Sequence, residues 1–139
     1  GHTPLLTDPR FAQFSQAIGQ VGLQCGKADY SWLIRLYWFT IEFGLLRENG
    51  EIKALGSGLA SSPDELIYAV EDPVAQRRPF DVIDILRTPY RIDINQPIYF
   101  VLDSVEQLLD AAKRDLMADI RTAQELGLHA PAYPPKVAA

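Results

Sequence analysis

Leu36-Tyr37-Trp38-Phe39-Thr40-Ile41-Glu42-Phe43-Gly44-Leu45 is the stretch on which the reading of this chain turns. It closes a longer segment, Tyr30 to Phe43, in which apolar residues occupy nearly every face of a helix, so the helix must be buried nearly all round. The most apolar run, Trp32 to Leu46, carries Arg35 and Glu42 and falls short of the roughly 20 residues that cross a membrane. A buried helix in a water-soluble core is the reading, with Gly44 as its stop.

Outward from that helix the pattern predicts mainly α structure with small β-hairpins. Upstream, Thr7, Asp8 and Pro9 supply a cap and a first-turn proline, and Phe11, Phe14, Ile18 and Val21 recur at helical spacing, predicting a helix near residues 8 to 22. Downstream, Glu48-Asn49-Gly50-Glu51 reads as a turn between strands Leu45–Arg47 and Ile52–Leu55. Ser62 and Glu65 have the spacing of a capping box, predicting a short helix to about Val70. Residues 71 to 80 read as loop, and Asp81 caps a helix through Leu86. Arg91–Ile94 and Ile98–Leu102 alternate as a second hairpin. From Asp103 or Ser104, the stripe Val105, Leu108, Leu109, Ala112, Leu116 and Ile120 predicts one long helix to about Leu126, stopped by Gly127 and followed by an extended, proline-bearing tail.

A chain of 139 residues holds one domain and can bury roughly two-thirds of its unfolded surface. No repeat or linker divides it. The net charge of −5 argues against broad contact with nucleic-acid phosphates. Cys25 is the single cysteine, so no internal disulfide forms, and the composition fits a cytoplasmic protein. No signal peptide is recognisable at the start, which lacks an initiator methionine. A membrane is not an expected partner.

Chemistry concentrates on Glu42, the only formal charge between Leu36 and Leu46. A carboxylate among apolar residues needs an ion pair or hydrogen bond, for which Arg35 lies two turns earlier on the same face, or else a metal cation. His2 and His129 are the two histidines. His2 by itself is a terminal, solvated residue, and His129 sits in the tail with no chemistry assigned. Asp64, Glu65, Glu71 and Asp72 lie at a helix start and in a loop, where dipole compensation and solvation account for them. There is no glycine-rich phosphate loop, no CxxC pair and no nucleophile elbow, so phosphoryl and acyl transfer find no support.

The segment Gly1-His2-Thr3-Pro4-Leu5-Leu6-Thr7-Asp8 resembles the end of the first metal motif, HExxGHxPL, of the pterin-dependent aromatic amino acid hydroxylases, and Leu36 to Leu45 is similar to their second. Gly58-Leu59-Ala60-Ser61-Ser62 matches the family's glycine and serine segment. Arg87 to Tyr99 resembles the RTPYRID and QPxYF stretch of the bacterial, phenylalanine-specific branch, and Gly127 to Lys136 is similar to its close. The resemblance covers essentially the whole chain.

That resemblance implies a monooxygenase that converts L-phenylalanine to L-tyrosine with O2, Fe(II) and a tetrahydropterin, in phenylalanine catabolism. It makes His2 and Glu42 two members of a 2-His-1-carboxylate facial triad. The family's other histidine lies five residues before His2, ahead of Gly1. Residues 1–139 are thus expected to be the C-terminal portion of one catalytic domain, inactive alone, with the complete protein monomeric and the fragment able to self-associate through exposed apolar surface. The resemblance also places Tyr37 near the pterin, and Trp38, Gly58 and Ser61 in the substrate pocket. From the residues alone, Tyr37 and Trp38 could equally be core aromatics and Ser61 a neighbour of a helix cap. Ile92 stands where tyrosine-specific relatives carry an acidic residue, which suits phenylalanine.

Overall fold

The computed structural model of the protein describes residues 9–90 and 94–131. The first helix, α1 (Pro9–Gln24), buries Phe11, Phe14 and Ile18, the predicted stripe. Its expected cap residues Thr7 and Asp8 lie outside the described residues. Helix α2 (Lys27–Tyr37) starts three residues earlier than the apolar pattern indicated and runs without a break into a π-helical turn, Trp38–Glu42. Leu33, Leu36, Phe39, Thr40 and Ile41 are its buried residues.

Strands β1 (Leu45–Glu48) and β2 (Glu51–Ala54) form the predicted hairpin. Asn49 and Gly50, with φ of 54° and 79°, make the tight turn. An Asn-Gly pair tolerates positive φ at both central positions, which is what a two-residue turn between right-twisted strands requires. Two short helices follow, α3 (Ser57–Ala60) and α4 (Pro63–Glu71).

The predicted capping box does not form. Ser62 precedes α4 without a side-chain cap bond. Glu65 turns inward instead, where its Oε2 accepts hydrogen bonds from the backbone N–H of Gln96 at 3.0 Å and from the Tyr99 hydroxyl at 2.7 Å. A carboxylate buried with two donors is satisfied, whereas one turned to its own helix start would leave the Tyr99 hydroxyl without this acceptor.

Residues 71 to 80 are not all loop: Gln76–Pro79 is a strand, β3. It is too short and polar to show an alternating pattern, and it exists because β4 (Ile98–Leu102) offers it a partner. The sheet order is β2-β1-β4-β3, with β4 parallel to both neighbours. Both edges of β4 are therefore taken, and the predicted hairpin between Arg91–Ile94 and β4 gives way to this mixed sheet; residues 91–93 lie outside the described residues. Between β3 and β4, helix α5 (Val82–Leu86) is capped as predicted, Asp81 Oδ1 accepting from Asp84 N at 2.9 Å.

The long C-terminal helix is two helices, α6 (Glu106–Ala112) and α7 (Leu116–Leu126). Neither Asp103 nor Ser104 caps α6, whose start is Val105. The break at Lys113–Asp115 is held by Asp115, which caps Ala118 N at 3.1 Å, and by Arg114, whose guanidinium forks onto Asp119 at 2.7 and 2.8 Å. The stripe reads as continuous because Leu108, Ala111, Leu116, Ile120 and Ala123 enter the same core on both sides of the break. Gly127, with φ of 81°, ends α7 as predicted. The tail is then docked: His129 N donates to Arg87 O at 2.8 Å, Arg87 Nε donates to Gly127 O at 2.6 Å, and the His129 ring meets Asp84 at 2.5 Å.

Every residue of β4 is buried, and its alternation divides the interior. Ile98, Phe100 and Leu102 join the larger core with α1, α2, α5, α6 and α7, while Tyr99 and Val101 join a smaller one with Leu45, Leu59, Ala69 and Ala75. No helix among the described residues is long and apolar enough to cross a membrane.

Phe100 is fully buried and meets the Phe39 ring edge-on at 5.2 Å. Phe100→Ala should cost about 3–5 kcal/mol, read as an earlier midpoint in urea, whereas Ile67→Ala on an exposed site should change stability by about 0.5 kcal/mol or less.

Candidate active site

Glu42 ends the π turn. The turn is closed by a bond from Phe43 N to Trp38 O at 2.9 Å, five residues back rather than four. The extra residue in the hydrogen-bonded loop rotates everything after it off the face that an unbroken α-helix would present. Glu42 thus leaves the face of Arg35. Arg35 Nη1 donates to Leu86 O at 3.2 Å and its guanidinium lies 4.7 Å from the Trp32 ring centre, so the expected ion-pair partner is engaged elsewhere.

The same five-residue spacing brings Tyr37 beside Glu42, and its hydroxyl donates to Oε1 at 3.3 Å. Burial, followed by the nearby Glu42 charge and the bond to it, raises the Tyr37 phenol above its ordinary value. Against the other oxygen stands Gly58: a Cβ there would sit 2.7 Å from Glu42 Oε2 and 3.2 Å from the Phe43 ring. At Gly56 a Cβ would lie 2.2 Å from the Glu42 carbonyl oxygen, so the chain can pass here only as glycine. The β1–β2 hairpin returns the chain to this point, and Gly56 N donates to Gly44 O at 3.0 Å.

Trp38 forms the adjoining wall. Its ring lies between Tyr90, stacked at 4.6 Å and 13°, and Phe43, tilted at 4.6 Å and 35°. The Trp38 Nε1–H is buried and has no hydrogen-bond partner among the described residues. A buried donor left open costs free energy unless a bound molecule accepts from it. Tyr90 also meets Phe39 edge-on at 6.0 Å, tying the wall to the core, and burial raises its phenol above the ordinary value.

Of the residues singled out in the sequence, Tyr37, Glu42 and Gly58 converge on one carboxylate, and Trp38 reaches them through Phe43. Ser61 is exposed and spends its hydroxyl on Gly58 O at 3.0 Å, joining the group only through that carbonyl. His2 and Ile92 lie outside the described residues. Sequence reasoning gave no role to Phe43, Gly56 or Tyr90. Gly56 showed no signal, while Phe43 and Tyr90 stood inside the matched motifs without anything to say they would face Trp38.

Glu42 is half-buried, makes no ion pair among the described residues, and has a neutral phenol as its one hydrogen-bond partner there. Such a carboxylate suits a divalent metal ion. No group of three or more His, Cys, Asp or Glu side chains gathers among the described residues, so Glu42 would be one ligand of a set completed from elsewhere.

The fold and this carboxylate beside an aromatic wall place the chain in a known class. Residues 1–127 match the model of the biopterin-dependent aromatic amino acid hydroxylases, and the chain belongs to that family. It is 48% identical over 136 residues to a phenylalanine-4-hydroxylase of Vibrio cholerae, covering 98% of this chain and 47% of that enzyme. A tyrosine 3-monooxygenase of Drosophila melanogaster is 46% identical over 83% of this chain and 20% of its own length. The apo phenylalanine hydroxylase of Colwellia psychrerythraea superposes with a TM-score of 0.89 at 47% identity, covering 94% of this chain and 51% of that one. The chain spans about half the length of these phenylalanine hydroxylases.

Tyr37, Tyr68, Tyr90 and Tyr99 all hold their protons more tightly than a free tyrosine, burial being the largest cause in each. The unfolded chain releases tyrosine protons near pH 10. Stability is therefore whole below about pH 10 and is lost as the pH rises through the higher folded-state values. In an alkaline titration the absorbance of buried tyrosinates should appear together with loss of near-ultraviolet circular dichroism. Complete ionisation of all tyrosines with that signal intact would contradict it.

Proposed function

We propose that this chain is the C-terminal portion of the single catalytic domain of a phenylalanine 4-monooxygenase, which hydroxylates L-phenylalanine to L-tyrosine with O2, a tetrahydropterin and non-haem Fe(II) in phenylalanine catabolism. The observation that carries this is Glu42: a half-buried carboxylate without a cationic partner among the described residues, facing a glycine and flanked by an aromatic wall. When bound, the iron and the pterin supply the activation of dioxygen.

The chain's own residues hold and orient. Glu42, with His2, binds the metal. Tyr37 donates to Oε1 and so fixes how the carboxylate is presented, on the side assigned to the pterin. Gly58 keeps the approach to Oε2 open, since any side chain would fill it. Trp38, Phe43 and Tyr90 offer flat apolar surface to an aromatic substrate and exclude water from it, and Trp38 Nε1–H offers a donor. Ser61 supports the Gly58 carbonyl at the rim. We place the complete protein in the cytoplasm as a monomer, without nucleic-acid or membrane partners. The similarity to a tyrosine 3-monooxygenase supports tyrosine as the second substrate reading; a substrate panel separates the two. On the chain by itself we propose weak iron binding, no turnover, and self-association through the apolar surface of residues such as Leu23 and Val74.

In a protein that also carries the upstream half, one Fe(II) should bind per chain and tyrosine should form from phenylalanine in a pterin-dependent way. Glu42→Ala should abolish both while circular dichroism shows the fold intact; full turnover in that variant would sink the assignment of Glu42. Gly58→Ala should keep the fold, because the carboxylate can swing aside, and lower iron affinity by about tenfold to a hundredfold.

A further inference from the structure

Strands β1, β4 and β3 are parallel, and Leu45 and Pro79 both pair with Val101, so the carboxyl ends of all three strands come together. Alternation carries Arg47, Arg77 and Asp103 onto the face of Leu45, Tyr99 and Val101. There they line, with Arg78, Pro79 and Val101, a cavity of about 120 Å3. That is far more than the roughly 10–15 Å3 one water needs.

Three guanidinium groups meet one carboxylate in this cavity. The Arg47–Asp103 pair is long, 3.5 Å, and both side chains are more than half exposed, so water screens it and Arg47 is free to turn. Arg78 donates to the neutral Gln76 side chain at 2.8 Å. Arg77 is half-buried and held by the carbonyls of Ala69 and Asp72 at 2.8 and 3.2 Å. Among the described residues neither Arg77 nor Arg78 forms an ion pair. The positive charge is thus concentrated, partly immobilised and not neutralised, in a chain whose net charge is −5.

We propose that this cavity binds a phosphate group. A guanidinium is a planar fork with five donors, and a tetrahedral dianion offers enough oxygens to engage three such forks, whereas a carboxylate offers two. Arg77, already fixed by backbone carbonyls, loses little freedom on binding. Charge and proline on β3 also suit an edge strand that must refuse a further partner. That need explains Arg77 and Arg78 but not Arg47, which β1 brings to the same cavity from the far side of β4.

The test is a titration of the chain with inorganic phosphate and, separately, glycerol 3-phosphate, at ionic strength held constant with chloride. The side-chain Nε–Hε signals of Arg47, Arg77 and Arg78 are followed by NMR. Saturable shifts of all three are expected. Equal affinity for the two probes identifies free phosphate as the ligand; tighter binding of the ester identifies a small phosphorylated molecule. The double variant Arg47→Gln, Arg78→Gln should bind about tenfold more weakly, and the double lysine variant, which keeps charge but not the fork, should fall between. Shifts of the native chain that follow chloride without saturating, or binding equally tight in a folded double glutamine variant, would overturn the site and leave guarding of the sheet edge as the role of these arginines.

Discussion

The hydrogen bond from Phe43 N to Trp38 O, one residue longer in reach than an α-helical bond, is the constraint from which the candidate site follows. It widens the last turn of the central helix so that Tyr37 and Glu42 become neighbours and Glu42 parts from the face of Arg35. A regular helix would have left the carboxylate seven residues beyond Arg35 on one face, with an ion pair as its natural end. The widened turn leaves it with a phenol and an open oxygen. Gly56 and Gly58 then come so close that the backbone of the returning chain forms one side of the pocket.

The sheet makes that return possible. A two-residue Asn-Gly turn reverses the chain within the length of β1, and the β1 register against β4 fixes where β2 delivers Gly56. On the opposite face of β4, Phe100 packs on Phe39, Phe39 on Tyr90 and Tyr90 on Trp38. The pocket wall is thus continuous with the main core, and its aromatic rings are held by the same burial that stabilises the domain. Rigid aromatic surface next to an adjustable carboxylate is what a site for a flat substrate needs.

Elsewhere the polar residues that a sequence assigns to helix ends serve longer-range ties. Glu65 joins α4 to Gln96 and Tyr99 rather than capping its own helix. Arg87 and Asp84 hold the chain beyond Gly127 instead of remaining solvated. Each choice satisfies a buried or half-buried partner from a distant segment, and such a partner outweighs a local bond that water could replace.

The sequence alone determined the helix starts at Pro9 and Asp81, the stop at Gly127, the Asn49-Gly50 hairpin and the singular position of Glu42, because each rests on local backbone preference or on one charge in an apolar run. Its ordered motifs also carried the family resemblance. Only the tertiary structure decided that Gln76–Pro79 is a strand, that β4 has parallel neighbours on both sides, that residues 106–126 form two helices, and that Phe43 and Tyr90 close on Trp38. Those outcomes depend on which distant segment offers a hydrogen-bonding edge or a ring face, and no local pattern of residues encodes the identity of that partner.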